Sequence, residues 1–367
     1  MKRALRLLVI PLVLFTCRAH ACGGGGVTSA AGVVMDAQRI VISARSSGTT
    51  DVVVQITVPK TNADYAVLIP VPSQPTLDTE PVSSDELGAL ADETAPQIET
   101  ASESSGGSGC ACIGASSKGG SGANIKGVST SELVEVGPVT AVALTADDSA
   151  ALAQWLNDNG FKVPTAQSAL IDEYLGAGRY FIAAKRSDKA TTGAPSSVGL
   201  HYSLQGDHRQ ISLRFARLGA AEEVSYTLFV VGPKALAPAE PFAALTLDDL
   251  DADALRLGSY AQAVSDAIAA HDGRAFVLES VTDAKSFSSF PTLGKLFDTE
   301  SVITRASSVI ARAALTEDAQ FTRSFAGSVP QHRWLSMSAK DASMAGYAFA
   351  GAAFMSLVLR RRSPHLR

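Results

Sequence analysis

Residues 101–124 read ASESSGGSGCACIGASSKGGSGAN, and no other stretch limits the fold of this chain so firmly. Seven glycines and seven serines among these 24 residues leave too little apolar surface to offset the entropy of ordering them. The tract is therefore expected to be a flexible insertion at the surface, and the core must come from the sequence on either side of it. Two of the four cysteines, Cys110 and Cys112, sit inside it one residue apart. A metal clip, a redox pair and a stapled loop are all compatible with that spacing, and the choice among them depends on the compartment.

The ends of the chain address the compartment. The opening, MKRALRLLVIPLVLFTCRAHAC, starts with Lys2, Arg3 and Arg6, runs apolar from Leu7 to Phe15, and closes on Ala19-His20-Ala21. A basic start, an apolar run too short to span a bilayer and a small-x-small pattern describe a secretory signal peptide, residues 1–21, cut after Ala21. A lipoprotein would carry its acyl chain on Cys17 or Cys22. However, Thr16 precedes the first, and Ala19 stands where a large aliphatic residue is preferred before the second.

At the other end, residues 342–359 are 18 positions without a charge, followed by Arg360, Arg361, Arg362, His365 and Arg367. As a helix they would measure about 27 Å, just short of the ~30 Å hydrocarbon core of a bilayer. The basic tail, 360–367, suits a cytoplasmic flank, and Gly346 with Ala350 could form a small-residue packing stripe. A buried C-terminal helix would not normally end in three arginines, whereas a sorting signal cleaved later would look the same. The expectation is an exported body, residues 22–341, held at the membrane by a transmembrane or sorting helix and lying in the periplasm or at the cell surface.

That body is long enough for one large or two modest domains. Only 18% of the chain is charged and the net charge is -5, so no basic surface points to nucleic acid. Strands dominate its start: RIVISAR and DVVVQITV flank the turn SSGTTD, and YAVLIPVP follows. Pro70 and Pro72 remove two donors from one side of an extended chain, which places them at a sheet edge or a strand end. Ser83 and Glu86 form a capping-box pattern that opens a short helix. After the Gly/Ser tract, ELVEVGPVTAVALTA returns to strand. Thr145 is then expected to cap DDSAALAQWLNDNG, with Leu152, Trp155 and Leu156 on one face and Gly160 as the stop. TAQSALIDEYL predicts a second helix, and RYFIAAKR, VGLHYSL, QISLRFARL and VSYTLFVV predict four strands, with QGDHR turning between the middle two. Tyr260, Val264 and Ile268 are spaced for a helix, and ESVITRASSVIARAAL can wind as another. The mixture predicts a β-rich α+β fold, with mostly antiparallel strands and inserted helices.

Chemical motifs are scarce. The chain lacks a phosphate-cradling glycine loop, a GxGxxG after a strand, an HExxH and a GxSxG. His201, His208, His271 and His332 are scattered singly. His201 and His208 flank one predicted hairpin and could face each other, but a metal would need carboxylate or thiolate partners that the sequence does not place nearby. Asp147 with Asp148 read as acids in a helix's first turn, and Asp248, Asp249, Asp251 and Asp253 as acids of a Pro-flanked, solvated loop without the spacing of a calcium site. A single CxC is a weak zinc signal, and a glycine tract cannot supply the helix start of a thiol-redox site. In an oxidising compartment a disulfide is the default. A ring closed between Cys110 and Cys112 would be strained, so a bridge from one of them to Cys22 is expected.

Four stretches, ACGG, DYAVLIPVPSQP, VGPVTAVALTADDSAALAQWLNDNGFKVP and VITRASSVIARAALTEDAQF, resemble, in order, the bacterial secreted family designated domain of unknown function 2330. The resemblance implies an exported, often membrane-anchored envelope protein, and it carries no catalytic residues across. Together these features lead to a non-enzymatic binding or structural module of the cell envelope. Its partners would be the membrane, through the C-terminal helix, and an envelope protein or glycan; no cofactor is implied. The alternative is a metal-handling or thiol-redox protein that uses Cys110 and Cys112 with His201 or His208.

Overall fold

Three consecutive valines, Val52, Val53 and Val54, are all buried, which a strand permits only when both of its faces are covered. The computed structural model describes residues 26–29, 35–57, 65–100, 127–161, 168–187, 197–256 and 259–335. The strand holding the valines, β3 (Thr49–Thr57), lies inside an eight-stranded sheet. The sheet runs β15 (Ala243–Thr246), β16 (Ala275–Asp283), β17 (Val302–Ala311), β13 (Ala220–Gly232), β2 (Met35–Ala44), β3, β11 (Ser197–Gln205), β5 (Thr76–Leu77). Its pairs are antiparallel except β15–β16 and β2–β13.

A second sheet is antiparallel throughout. It runs β1 (Gly26–Ser29), β4 (Tyr65–Val71), β10 (Tyr180–Arg186), β9 (Val139–Ala146) and β7 (Val128–Thr130), with β8 (Val134–Val136) also on β9. The sheets share one core, in which Ile40, Ile42, Val52 and Val54 meet Val67, Ile69 and Ile182. The far face of the second sheet packs Leu68, Val142, Leu144 and Phe181 under α2 (Ser149–Asp158) and α3 (Ser168–Gly176). The far face of the first packs Val41, Val53, Phe229 and Ile303 under α1 (Ser84–Glu93) and two 3-10 turns, Ala284–Phe287 and Leu293–Leu296. The result is four layers: helix, sheet, sheet, helix. Where the second sheet stops, α5 (Ala252–Arg256) and α6 (Tyr260–Ala269) continue the inner core, with Val264 and Ile268 in the same cluster as Phe276 and Ile310.

Three two-stranded ladders complete the described fold. They are β12 (Gln210–Ile211) with β18 (Ala319–Gln320), β14 (Leu236–Ala237) with β19 (Arg323–Ser324), and the parallel pair β6 (Gln97–Thr100) with β20 (His332–Leu335). Close approach of α1 to the large sheet depends on Gly199 of β11. A Cβ there would lie 2.8 Å from both the Val53 Cγ1 and the Val82 Cβ, so a side chain would push the helix layer away.

Most local expectations from sequence hold. The Ser83 hydroxyl accepts from the Glu86 N–H, Leu152, Trp155 and Leu156 are buried on α2, and Gly160 ends that helix with a φ of +78°. Pro70 lies beyond the last residue of β4 that pairs with β1, so its missing donor leaves no ladder bond unmade on that side, the strand-end position expected of it.

Three expectations are corrected. The stretch around 301–315 is the strand β17 rather than a helix: Thr304, Ala306, Ser308 and Ile310 are buried at alternate positions, and β-branched residues favour that period of two. QISLRFARL is not one strand. It breaks after Ile211 into α4 (Leu213–Ala216), whose first turn is fixed by the Asp318 carboxylate accepting from the Arg214 N–H at 3.1 Å. The cap of α2 is Asp148, which accepts from the Ala151 N–H at 2.7 Å, because Thr145 still belongs to β9. No described helix is long and apolar enough to cross a membrane, and the expected signal peptide, Gly/Ser tract and C-terminal segment lie outside the described residues.

Candidate functional site

On the α1 side of the large sheet, neighbouring strands bring acids and bases into a row. His201 of β11 stands opposite Val53 of β3, so its ring shares a face with Asp51, two residues back along β3. Its Nε2 lies 3.1 Å from the Asp51 Oδ1. Its Nδ1 lies 3.0 Å from the Asp78 Oδ2, in the segment leaving β5. Asp51 also accepts from Arg45 at 3.3 Å, and the Arg45 Nε lies 3.7 Å from the Asp298 Oδ1. The Ser46 N–H donates to the other Asp298 oxygen at 2.7 Å. The row Asp78–His201–Asp51–Arg45–Asp298 alternates acidic and basic side chains along its length.

Burial is the strongest influence on His201 and favours the neutral ring, but the hydrogen bonds and charges of Asp51 and Asp78 outweigh it and raise the pKa. For Asp78 burial again pulls toward neutrality, and bonds from the Glu80 N–H and His201 prevail to lower its pKa. Asp298 is lowered chiefly by the Ser46 N–H, with Arg45 adding to it. Both ring nitrogens of His201 are thus turned onto carboxylates of the fold, an arrangement that favours the protonated ring over the neutral one.

The sign of the pH dependence follows. A raised histidine stabilises the fold fully below its unfolded pKa of about 6.5, and that contribution is lost as pH rises through the folded value. The lowered aspartates contribute above about pH 4 and lose their contribution as pH falls through their depressed values. Urea melts between pH 6 and 9 should therefore show stability declining toward alkaline pH, with a slope of up to ~1.4 kcal/mol per pH unit from this one proton. In His201→Gln that slope should flatten; an unchanged slope would show that His201 is not the titrating group.

Two further clusters lie deeper. Glu279, fully buried, sits where the β16–β17 register shifts between Leu278 and Ser280, an extra residue that turns its side chain into the interior. Its carboxylate accepts from the Arg305 Nε, the Ser307 hydroxyl and the Tyr260 hydroxyl. Arg305 reaches on to the Ala91 carbonyl and to Thr94 at the C-terminal end of α1. Burial, followed by the Glu279 charge, drives the Tyr260 hydroxyl pKa far up, so it remains a donor. In the second cluster, Asp318 accepts from the Tyr174 hydroxyl at 2.8 Å, the Gln210 side chain at 3.3 Å and the Arg214 N–H. Burial raises its pKa despite those donors. These groups tie α3, α4 and β12 together, as Glu279 and Arg305 tie α1, α6, β16 and β17. Both are cross-braces between layers.

The candidates read from sequence fare differently. His201 is central to the charged row, and the carboxylates that the local sequence does not supply arrive from Asp51 and Asp78. It does not face His208, whose Nε2 bonds the Gln205 carbonyl at 2.7 Å in an exposed turn. Asp148 is a helix-start acid as expected, whereas Asp249, expected in a solvated loop, closes a 3-10 turn and accepts from the Thr246 N–H at 2.7 Å. Cys22, Cys110 and Cys112 lie outside the described residues. Among the described residues, no three histidine, cysteine, aspartate or glutamate side chains gather so as to hold a metal ion. The sequence signal that marks Glu279 is a lone acid inside the apolar run AFVLESV; Arg305 is masked by the helical spacing of its neighbours.

No curated protein and no solved structure matches the chain. One family does: its sequence profile, described as uncharacterized protein conserved in bacteria, matches residues 18–322, covering both sheets, the helices packed on them, and the Asp51, His201, Glu279, Arg305 and Asp318 positions. The chain belongs to that bacterial family, domain of unknown function 2330.

Proposed function

We propose that this protein is an exported module of the bacterial cell envelope, tethered to the membrane by its C-terminal segment and acting by binding or bracing a neighbouring envelope component. The observation that carries this reading is the saturation of its polar clusters: His201, Glu279 and Asp318 spend their ring nitrogens and carboxylate oxygens on other parts of the fold. A general acid or base needs a proton position open to substrate, and these groups offer none in this arrangement. The tether is supported by the 18 uncharged residues 342–359 and the arginines after them, and export by the signal-like first 21 residues. In an oxidising compartment, Cys22 with Cys110 or Cys112 would staple the root of the Gly/Ser tract.

The test is fractionation of the full chain and of a chain ending at Asp341, both exported by their own first 21 residues. The full chain is expected in the membrane fraction after a high-salt wash, and the shortened chain soluble and folded outside the cytoplasmic membrane. A shortened chain that stays in the washed pellet would move the anchor to a lipid on Cys22. A full chain found in the cytoplasm with its first residues intact would defeat the export reading.

A further inference from the structure

Among the described residues, Trp334 is the one large hydrophobic side chain left mostly exposed, at 73%. It lies on β20, whose alternation turns Leu335 into the core and Trp334 outward. The strand is pinned rather than loose. Its parallel partner β6 aligns Glu99 with Trp334, and Arg333 donates to the Leu247 carbonyl and to the Leu250 carbonyl at 2.8 Å. An indole held rigidly in water costs apolar burial, and tryptophan is the residue enriched where apolar and wet phases meet.

Its place along the chain says which phase is near. Only residues 335–341 separate Trp334 from the uncharged run beginning at Ala342. Even fully extended, those eight steps reach no more than about 29 Å, whereas a body of this size is about 50 Å across. If residues 342–359 enter the bilayer, the β6–β20 end is therefore the end of the fold nearest the membrane. Resting on the tethered reading proposed above, we infer that the Trp334 face of the β6–β20 ladder is a membrane-contact surface, with the indole seated among the lipid headgroups and the His332–Glu99 pair, at 3.5 Å, beside it.

The chain has two tryptophans, Trp155 and Trp334, which makes the test direct. The full chain carrying Trp155→Phe is reconstituted into phosphatidylcholine–phosphatidylglycerol vesicles with or without a headgroup-level spin label. Emission from Trp334 is expected to fall about twofold with the label, and to be shielded from aqueous iodide. A companion Trp334→Phe chain, reporting from buried Trp155, should be unquenched by the label and closed to iodide whether or not vesicles are present. Flotation with the vesicles is measured on the same samples. A chain that floats but whose Trp334 is unquenched by the label and open to iodide overturns the membrane-contact surface while leaving the tether intact. A chain that fails to float overturns the tethered reading and this inference with it.

Discussion

Arg305→Ala is expected to destabilise the protein by about 3–5 kcal/mol, read as a shift of the urea midpoint at constant m. The cost arises from what is left behind. Glu279 is fully buried, and among the described residues the arginine is its only cationic partner; Tyr260 and Ser307 donate neutral hydrogen bonds. Removing the guanidinium also strips a donor from the Ala91 carbonyl, one of the orphaned acceptors at the end of α1. Arg305→Lys should recover little, since an ammonium cannot serve the carboxylate and the helix end with one planar fork. The double change Glu279→Leu with Arg305→Met should cost much less than Arg305→Ala alone, because it removes both charges from the interior. Single and double variants that add independently would show that the pair is not coupled.

The second large effect belongs to the opposite helix layer. Trp155 is almost fully buried between α2 and the second sheet, with its ring stacked on Phe161 at 6.0 Å. Trp155→Ala should cost about 3–5 kcal/mol through lost burial and the cavity left behind. Its indole N–H is buried with no hydrogen-bond partner among the described residues, so the native side chain already bears an unmet donor. Trp155→Phe removes that donor along with part of the ring and should therefore cost under about 1.5 kcal/mol. A phenylalanine variant as unstable as the alanine one would mean that the ring's full volume, not its polarity, dominates. Amide exchange should place the loosening in α2 and α3 before it reaches the eight-stranded sheet.

How far the sequence reaches can be judged from particular residues. Val52–Val54 announce a strand covered on both faces, and the Ser83 cap and the Gly160 stop are local chemistry readable within a few positions. The β17 segment is misread because its apolar residues also fit a helical spacing; what decides is pairing with β13 and β16, which no short window contains. The charged row is illegible for the same reason. His201 meets Asp51 and Asp78 only after β3, β11 and β5 have aligned, so a lone histidine in a strand carries no local sign of its partners. The Glu279 site depends on a register shift, and register is a property of the assembled sheet.

The place of β2 in the large sheet bears on how such a chain reaches its native state. β2 is complete by Ala44 and can close a hairpin with β3 at once, yet its other neighbour, the parallel strand β13, begins only at Ala220. A chain delivered amino-terminus first would hold one edge of its future central strand unpaired until more than half of the whole chain had emerged. Such distant pairing makes folding slow, and an open apolar edge in that interval invites pairing with other chains. Slow, late closure of the sheet is then a burden set by topology rather than by stability, and it would fall most heavily when many copies emerge together.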